Sequence, residues 1–147
     1  MSGIKLKRLL LSAVAAGFVI WLIEGAGAVM LYMEIMEARL AELGLSMQMS
    51  GSVMAITIGV SLITGFSIMF FYAAVRPRFG PGPRTAILVA VVLWLGGYFL
   101  SLVGYYLAGI YPSHLLVQWG AVGLVEMMLA ALLGGWIYRE APVSGED

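Results

Sequence analysis

The sequence predicts an all-α fold: a polytopic membrane protein with four transmembrane helices in a bundle. Of its 147 residues, 62% are hydrophobic and only 11% charged, whereas a soluble domain carries about 25% charged residues to cover its surface. Several stretches of roughly 20 or more residues hold one charge or none, which is the length that crosses a hydrocarbon core. The proline- and glycine-rich segment 76–84 and Pro112 break the chain between later stretches. The net charge of zero points to no nucleic-acid partner, and the absence of cysteine excludes disulfides, thiolate metal sites and cysteine nucleophiles. A single histidine, His114, excludes a bis-histidine haem built within one chain.

The first span is expected over residues 9–33, behind Lys5, Lys7 and Arg8. A basic start, an apolar run and Ala26-Gly27-Ala28 share the outline of a signal peptide, but the run is long enough to span and is read as a membrane helix. The helical pattern continues beyond it over residues 34–43. There Met33, Met36, Leu40 and Leu43 share one face, Glu34, Glu37 and Glu42 lie away from it, and Gly44 supplies a stop. The second span covers residues 52–75 and is expected to stop before Pro77. Residues 76–84, Arg-Pro-Arg-Phe-Gly-Pro-Gly-Pro-Arg, read as a rigid basic hairpin loop. The third span covers residues 85–110. Pro112 then breaks the chain, Ser113 is a candidate N-cap, and the fourth span covers residues 114–138, followed by a short polar tail. All of it forms one transmembrane domain.

Basic residues set the expected orientation. Lys5, Lys7, Arg8, Arg76, Arg78, Arg84 and Arg139 fall on one side, against Arg39 alone on the other, so the positive-inside rule places both termini and the 76–84 loop in the cytoplasm. The chain can also be read as two repeated hairpins: Ile20-Trp21-Leu22 resembles Leu93-Trp94-Leu95, and Tyr72 has a counterpart in Tyr138. Such a repeat would be of the parallel kind.

Two acids stand inside spans, Glu24 and Glu126. A charged group at the bilayer centre costs about 2.5–3.5 kcal/mol, so such acids face protein or water. Counted from the outer helix ends, both lie roughly 13–18 Å deep, in the same slab as Ser61, Thr64, Tyr98 and Ser101. These six residues form the predicted intramembrane polar layer. Its bland reading is a set of protonated glutamates hydrogen-bonded to hydroxyls, tying helices together. Its functional reading is a proton, cation or ligand site.

Other candidates are weaker. Met30, Met33, Met36, Met47, Met49 and Met54 crowd the outer part of the first hairpin, and thioethers suit a soft metal such as Cu(I). With His114 and Gln118, one turn apart near the outer surface, Met30, Met33 and Met36 are the candidate outer-side ligands. The plainer reading is that methionine fills apolar gaps and that a histidine at a helix start reaches interfacial water. Small residues at Ala55 and Gly59, and at Gly97, Ser101, Gly104 and Ala108, predict close helix packing, within the chain or against another subunit. Trp119 and Trp136 read as interface anchors at opposite ends of the fourth span.

The segment from Tyr72 to Ala86, with Arg-Pro-Arg-Phe-Gly-Pro-Gly-Pro-Arg-Thr-Ala at its heart, resembles one found in a family of small bacterial four-span membrane proteins. So do Gly123-Leu124-Val125-Glu126-Met127 and the ending Gly135-Trp136-Ile137-Tyr138-Arg139-Glu140. The resemblance covers most of the chain. It implies a bacterial inner membrane and a four-span fold, and no activity.

Two functions fit these readings. The first is an accessory or structural subunit of a larger membrane complex, offering its outer apolar stripe to other membrane subunits. The alternative is a homo-oligomeric small transporter or channel that uses the polar layer around Glu24 and Glu126. The absence of a Gly/Pro-broken span of the kind transporters use weighs against the alternative. No cofactor is expected. With no nucleophile–base pair or metal cluster in view, the chain is not read as an enzyme.

Overall fold

The computed structural model describes residues 5–46 and 50–138, and among these every regular element is a helix. Four helices are long and apolar enough to cross a membrane: α1 (Leu6–Glu42), α2 (Gly51–Phe79), α3 (Pro83–Leu107) and α4 (Ser113–Ile137). The chain is a small integral membrane protein built as a four-helix bundle. Arg139, Met47 and Met49, which figured in the readings of orientation and metal binding, lie outside the described residues.

The first expected span and its extension form one continuous rod. At 37 residues, α1 is about 55 Å long against a hydrocarbon core of about 30 Å, so its last turns stand clear of the lipid tails. Gly44 (φ 72°) ends it in a Schellman turn, with Leu45 N–H donating to Leu40 O and Gly44 N–H to Ala41 O. Met33, Met36 and Leu40 are half-buried on the expected face and Ile35 and Met36 pack beside Tyr32, Leu115 and Leu116, whereas Leu43 is 47% exposed. Arg39 fixes the extension to the bundle. Its guanidinium donates to the carbonyls of Ile110 (2.9 Å) and Gly109 (3.0 Å) and pairs with Glu42.

Helix ends differ from expectation in three places. α2 does not stop at Val75 but runs through Pro77 to Phe79, because proline in the last turn removes a single donor bond and its steric penalty is a preference. The connection shrinks accordingly to residues 80–82. Thr85 Oγ1 closes it by donating to Gly80 O (2.7 Å), while Gly82 N–H donates to the Tyr72 hydroxyl (3.1 Å). α3 ends at Leu107 instead of running to residue 110, since Gly109 (φ 65°) makes a second Schellman turn with Ile110 N–H on Tyr105 O. Pro112, not Ser113, is the N-cap residue of α4, and no side chain caps that helix.

The helices pack through small residues, though not the ones singled out above. A Cβ on Gly65 of α2 would lie against the backbone nitrogen of Gly17 and 2.6 Å from Ala13 O, and one on Gly17 would lie 2.8 Å from Leu62 Cα. α1 and α2 therefore cross backbone to backbone. Around the crossing, Leu9, Ala13, Ala16 and Ile20 share one core with Ile68, Met69, Tyr72, Met127, Ala130 and Ala131. By contrast, Ala55, Gly97, Ser101, Gly104 and Ala108 are exposed, and a Cβ on Gly59, Gly97 or Gly104 would meet open space. These stripes do not pack within the chain.

Both α1 and α3 contain one widened, π-helical turn, at Ala28–Tyr32 and at Trp94–Phe99. In α1, Met33 N–H reaches back five residues to Ala28 O. Such turns hold one residue more than an α-turn and re-aim the side chains they carry. The first ends at Tyr32 and the second carries Tyr98.

α2 packs on the first half of α3, Pro83–Leu93, and parts from it beyond. The gap between them leads to the candidate site.

Candidate functional site: an acid pair in a side-opening cavity

Glu24 is the centre of the site. Its carboxylate accepts hydrogen bonds from the hydroxyl of Tyr32 (2.7 Å), the indole Nε1 of Trp119 (2.8 Å) and the hydroxyl of Tyr98 (3.1 Å). Tyr32 and Tyr98 are delivered by the two widened turns, and Tyr32 leaves helical geometry altogether (φ −138°, ψ −5°), bringing its ring to 2% exposure. Glycines clear the approach. A Cβ on Gly123 would lie 2.6 Å from Tyr98 Cε1, so only a glycine there lets the Tyr98 ring cross α4 to reach the acid.

Glu126 faces the same cavity as Glu24. It is 2% exposed, and its Oε2 finds no donor among the described residues. The oxygens of Glu24 are already engaged as acceptors by three other groups.

Trp119 is the hub of an aromatic cluster. Its ring centroid lies 5.7 Å from Tyr105 in near-parallel stacking (8°), 5.9 Å from Tyr32, 6.1 Å from Tyr111 and 6.4 Å from Tyr98. Its expected role as an interface anchor is corrected: it is half-buried, with its N–H spent on an acid inside the bundle. Trp136, at 65% exposure, fits the anchor reading.

All six residues of the predicted polar layer, Glu24, Ser61, Thr64, Tyr98, Ser101 and Glu126, line one cavity of about 580 Å³. Its outer walls are the diverging parts of α2 and α3, where Ile63 is 68% exposed and Gly97 and Ser101 are open, so it opens sideways toward the position of lipid. The hydroxyls play a smaller part than expected. Thr64 donates to Val60 O and Ser101 to Gly97 O, each within its own helix, and neither bonds an acid. Sequence reasoning missed Tyr32, Tyr105 and Trp119. The pair Gly120 and Gly123, facing Trp94, Leu102 and Tyr98, was the available signal that large rings from α3 lie across α4.

The candidate outer-side ligands do not form a comparable site. Met30 is 79% exposed on the outside of α1, Met33 is half-buried, and Met36 packs into the apolar cluster of Tyr32, Leu102, Leu115 and Leu116. His114 and Gln118 are exposed on α4. Among the described residues no three histidine, aspartate or glutamate side chains gather as a metal site would need.

In comparison with known proteins, the chain matches no protein-family profile, no curated protein and no solved structure. The site must be read from its own chemistry.

Proposed function

We propose that this chain is a small transporter, working as a homo-oligomer, in which Glu24 and Glu126 form a proton-exchanging acid pair. The observation that carries this reading is the Glu126 carboxyl, buried beside a second acid in a side-opening cavity with no donor for Oε2. A purely structural acid has its oxygens satisfied, as those of Glu24 are. Two carboxyl groups facing one cavity away from water repel when both are charged, so the pair holds one proton and can exchange it for another cation. The widened turns of α1 and α3 add local irregularity at the site, which answers in part the lack of a broken span.

Infrared difference spectra of the protein in lipid test this. A protonated carboxyl stretch is expected at neutral pH, absent from Glu126→Gln. Finding both acids ionised at pH 7 would end the proposal.

A second reading, an accessory subunit, is favoured by the uncovered small-residue stripes on α2 and α3, which suit a neighbouring helix. Native mass and composition after mild detergent extraction separate the two: fixed companion proteins support the subunit, a pure homo-oligomer the transporter.

The proposed setting is a bacterial inner membrane with both termini cytoplasmic. Lys5, Lys7, Arg8, Arg76, Arg78 and Arg84 gather at one end of the bundle in support, with Arg39 at the other. The chain has no cysteine, and Ser46 and Pro81 are exposed at opposite ends. In intact cells a membrane-impermeant thiol reagent is expected to label Ser46→Cys and spare Pro81→Cys. The reverse pattern refutes the orientation.

A further inference from the structure

We infer that the cavity beside the acid pair binds a lipophilic organic cation, which enters sideways from the bilayer and displaces the proton of Glu126. The inference rests on the acid-pair reading above and adds the chemical class of the occupant.

Three observations converge on it. The first is size. About 580 Å³ is far more room than a bare metal ion fills, and falls in the range of pockets for drug-sized molecules, about 300–1,000 Å³. The second is the wall. Tyr105 and Trp119 stack face to face and line the cavity with Tyr98, and ring faces attract delocalised cations more than they attract small hydrated ones. Ile20, Val60 and Ile63 add apolar wall, and the hydroxyls of Thr64, Ser67 and Ser101 are spent on carbonyls of their own helices, so a charged ligand must bring its own apolar surface. The third is charge. With the proton gone, Glu126 would be a second buried anion beside Glu24, and a cation in the cavity is what offsets it. The sideways opening between α2 and α3 faces the phase in which lipophilic cations concentrate.

The exchange balances simply. Cation in and proton out leave the net charge of the site unchanged, and no covalent bond is made.

The test uses the full chain in lipid nanodiscs, with tetraphenylphosphonium as the probe and tetraphenylborate as an anion of the same shape. Empty nanodiscs correct for partition into lipid. Saturable tetraphenylphosphonium binding is expected, with release of about one proton per cation in weakly buffered solution and no saturable binding of the borate. Glu126→Gln should lose both the binding and the proton release. Tyr105 makes no hydrogen bond to either acid, so Tyr105→Leu should weaken binding about fivefold while leaving the protonated carboxyl band unchanged. Equal binding of cation and borate would mean an apolar slot indifferent to charge, and overturns the inference. So does a protein that shows the carboxyl band yet binds no tetraphenylphosphonium at any pH, in which case the acid pair stands and only its occupant is wrong. A missing carboxyl band removes the acid pair and this inference together.

Discussion

Gly65→Ala is expected to lower the midpoint of detergent-induced unfolding sharply, while Gly59→Ala, two turns away on the same helix, leaves it unchanged or raises it. In an exposed helix, replacing glycine by alanine gains roughly 0.5–1 kcal/mol by restricting the unfolded chain. Gly59 has open space where the methyl would go, so only that gain applies. At Gly65 the methyl would meet Gly17 N and Ala13 O, backbone atoms that cannot rotate aside as a side chain does. Overpacking costs about 1–3 kcal/mol where side chains can adjust, so a net loss of about 2–3 kcal/mol is the expected floor. Gly65→Leu should prevent the α1–α2 crossing altogether. Similar midpoints for the two alanine variants, measured by circular dichroism against dodecyl sulfate, would show that the backbones do not cross at Gly17 and Gly65.

The two glutamates should differ sharply in what they hold together. Glu24→Leu strands the donors of Tyr32, Tyr98 and Trp119, which come from three helices. A hydrogen bond between membrane helices contributes about 0.6 kcal/mol on average and up to about 1.7, and a buried donor left without an acceptor costs about 1–3 kcal/mol. A loss of about 2–4 kcal/mol is expected, with the Trp119 fluorescence shifting as its indole loses its partner. Glu126→Leu removes a buried carboxyl whose Oε2 has no donor, so its stability should stay within about 1 kcal/mol of the parent or rise. The parent stability of Glu126→Leu together with lost proton exchange is the signature of a residue kept for function. Equal destabilisation by the two leucine variants would mean that Glu126 is as structural as Glu24.

Much of this was legible in the sequence, for reasons of length. A hydrocarbon core selects long uncharged runs, and a helix rises by a fixed step, so depth can be counted along the chain. That arithmetic placed Glu24, Ser61, Thr64, Tyr98, Ser101 and Glu126 in one slab, and all six line one cavity. Counting gives depth and not direction. It could not show that Thr64 and Ser101 spend their hydroxyls on their own backbones, or that Trp119 turns inward to Glu24. The small-residue stripes show the same limit: within the chain Gly17 and Gly65 face a neighbour, whereas Gly97 and Gly104 meet open space. The widened turns leave no mark in hydrophobic periodicity, although Gly96 and Gly97 lie within one and Gly25 and Gly27 lie just before the other.

Tyr32 and Tyr98 stand the same number of residues apart as Tyr72 and Tyr138, whose rings meet edge to face at 6.2 Å. The Trp21 and Trp94 match stands at a different offset, so the two sets of pairs do not share one repeat register.

A widened turn is, in the terms of an alignment, a one-residue insertion absorbed in place. Each residue of a regular helix turns the chain by about 100°, so deleting one residue from an ordinary stretch of α3 swings everything beyond it onto a new face. A deletion within Trp94–Phe99 is different, because it restores a regular turn and leaves both flanking stretches of α3 facing as they do now. A shortened homologue with its gap there would keep the bundle's seams and forfeit only the aim of Tyr98. The gap would mark a cousin that had given up the third hydrogen bond to its acid, and with it part of the chemistry that distinguishes this one.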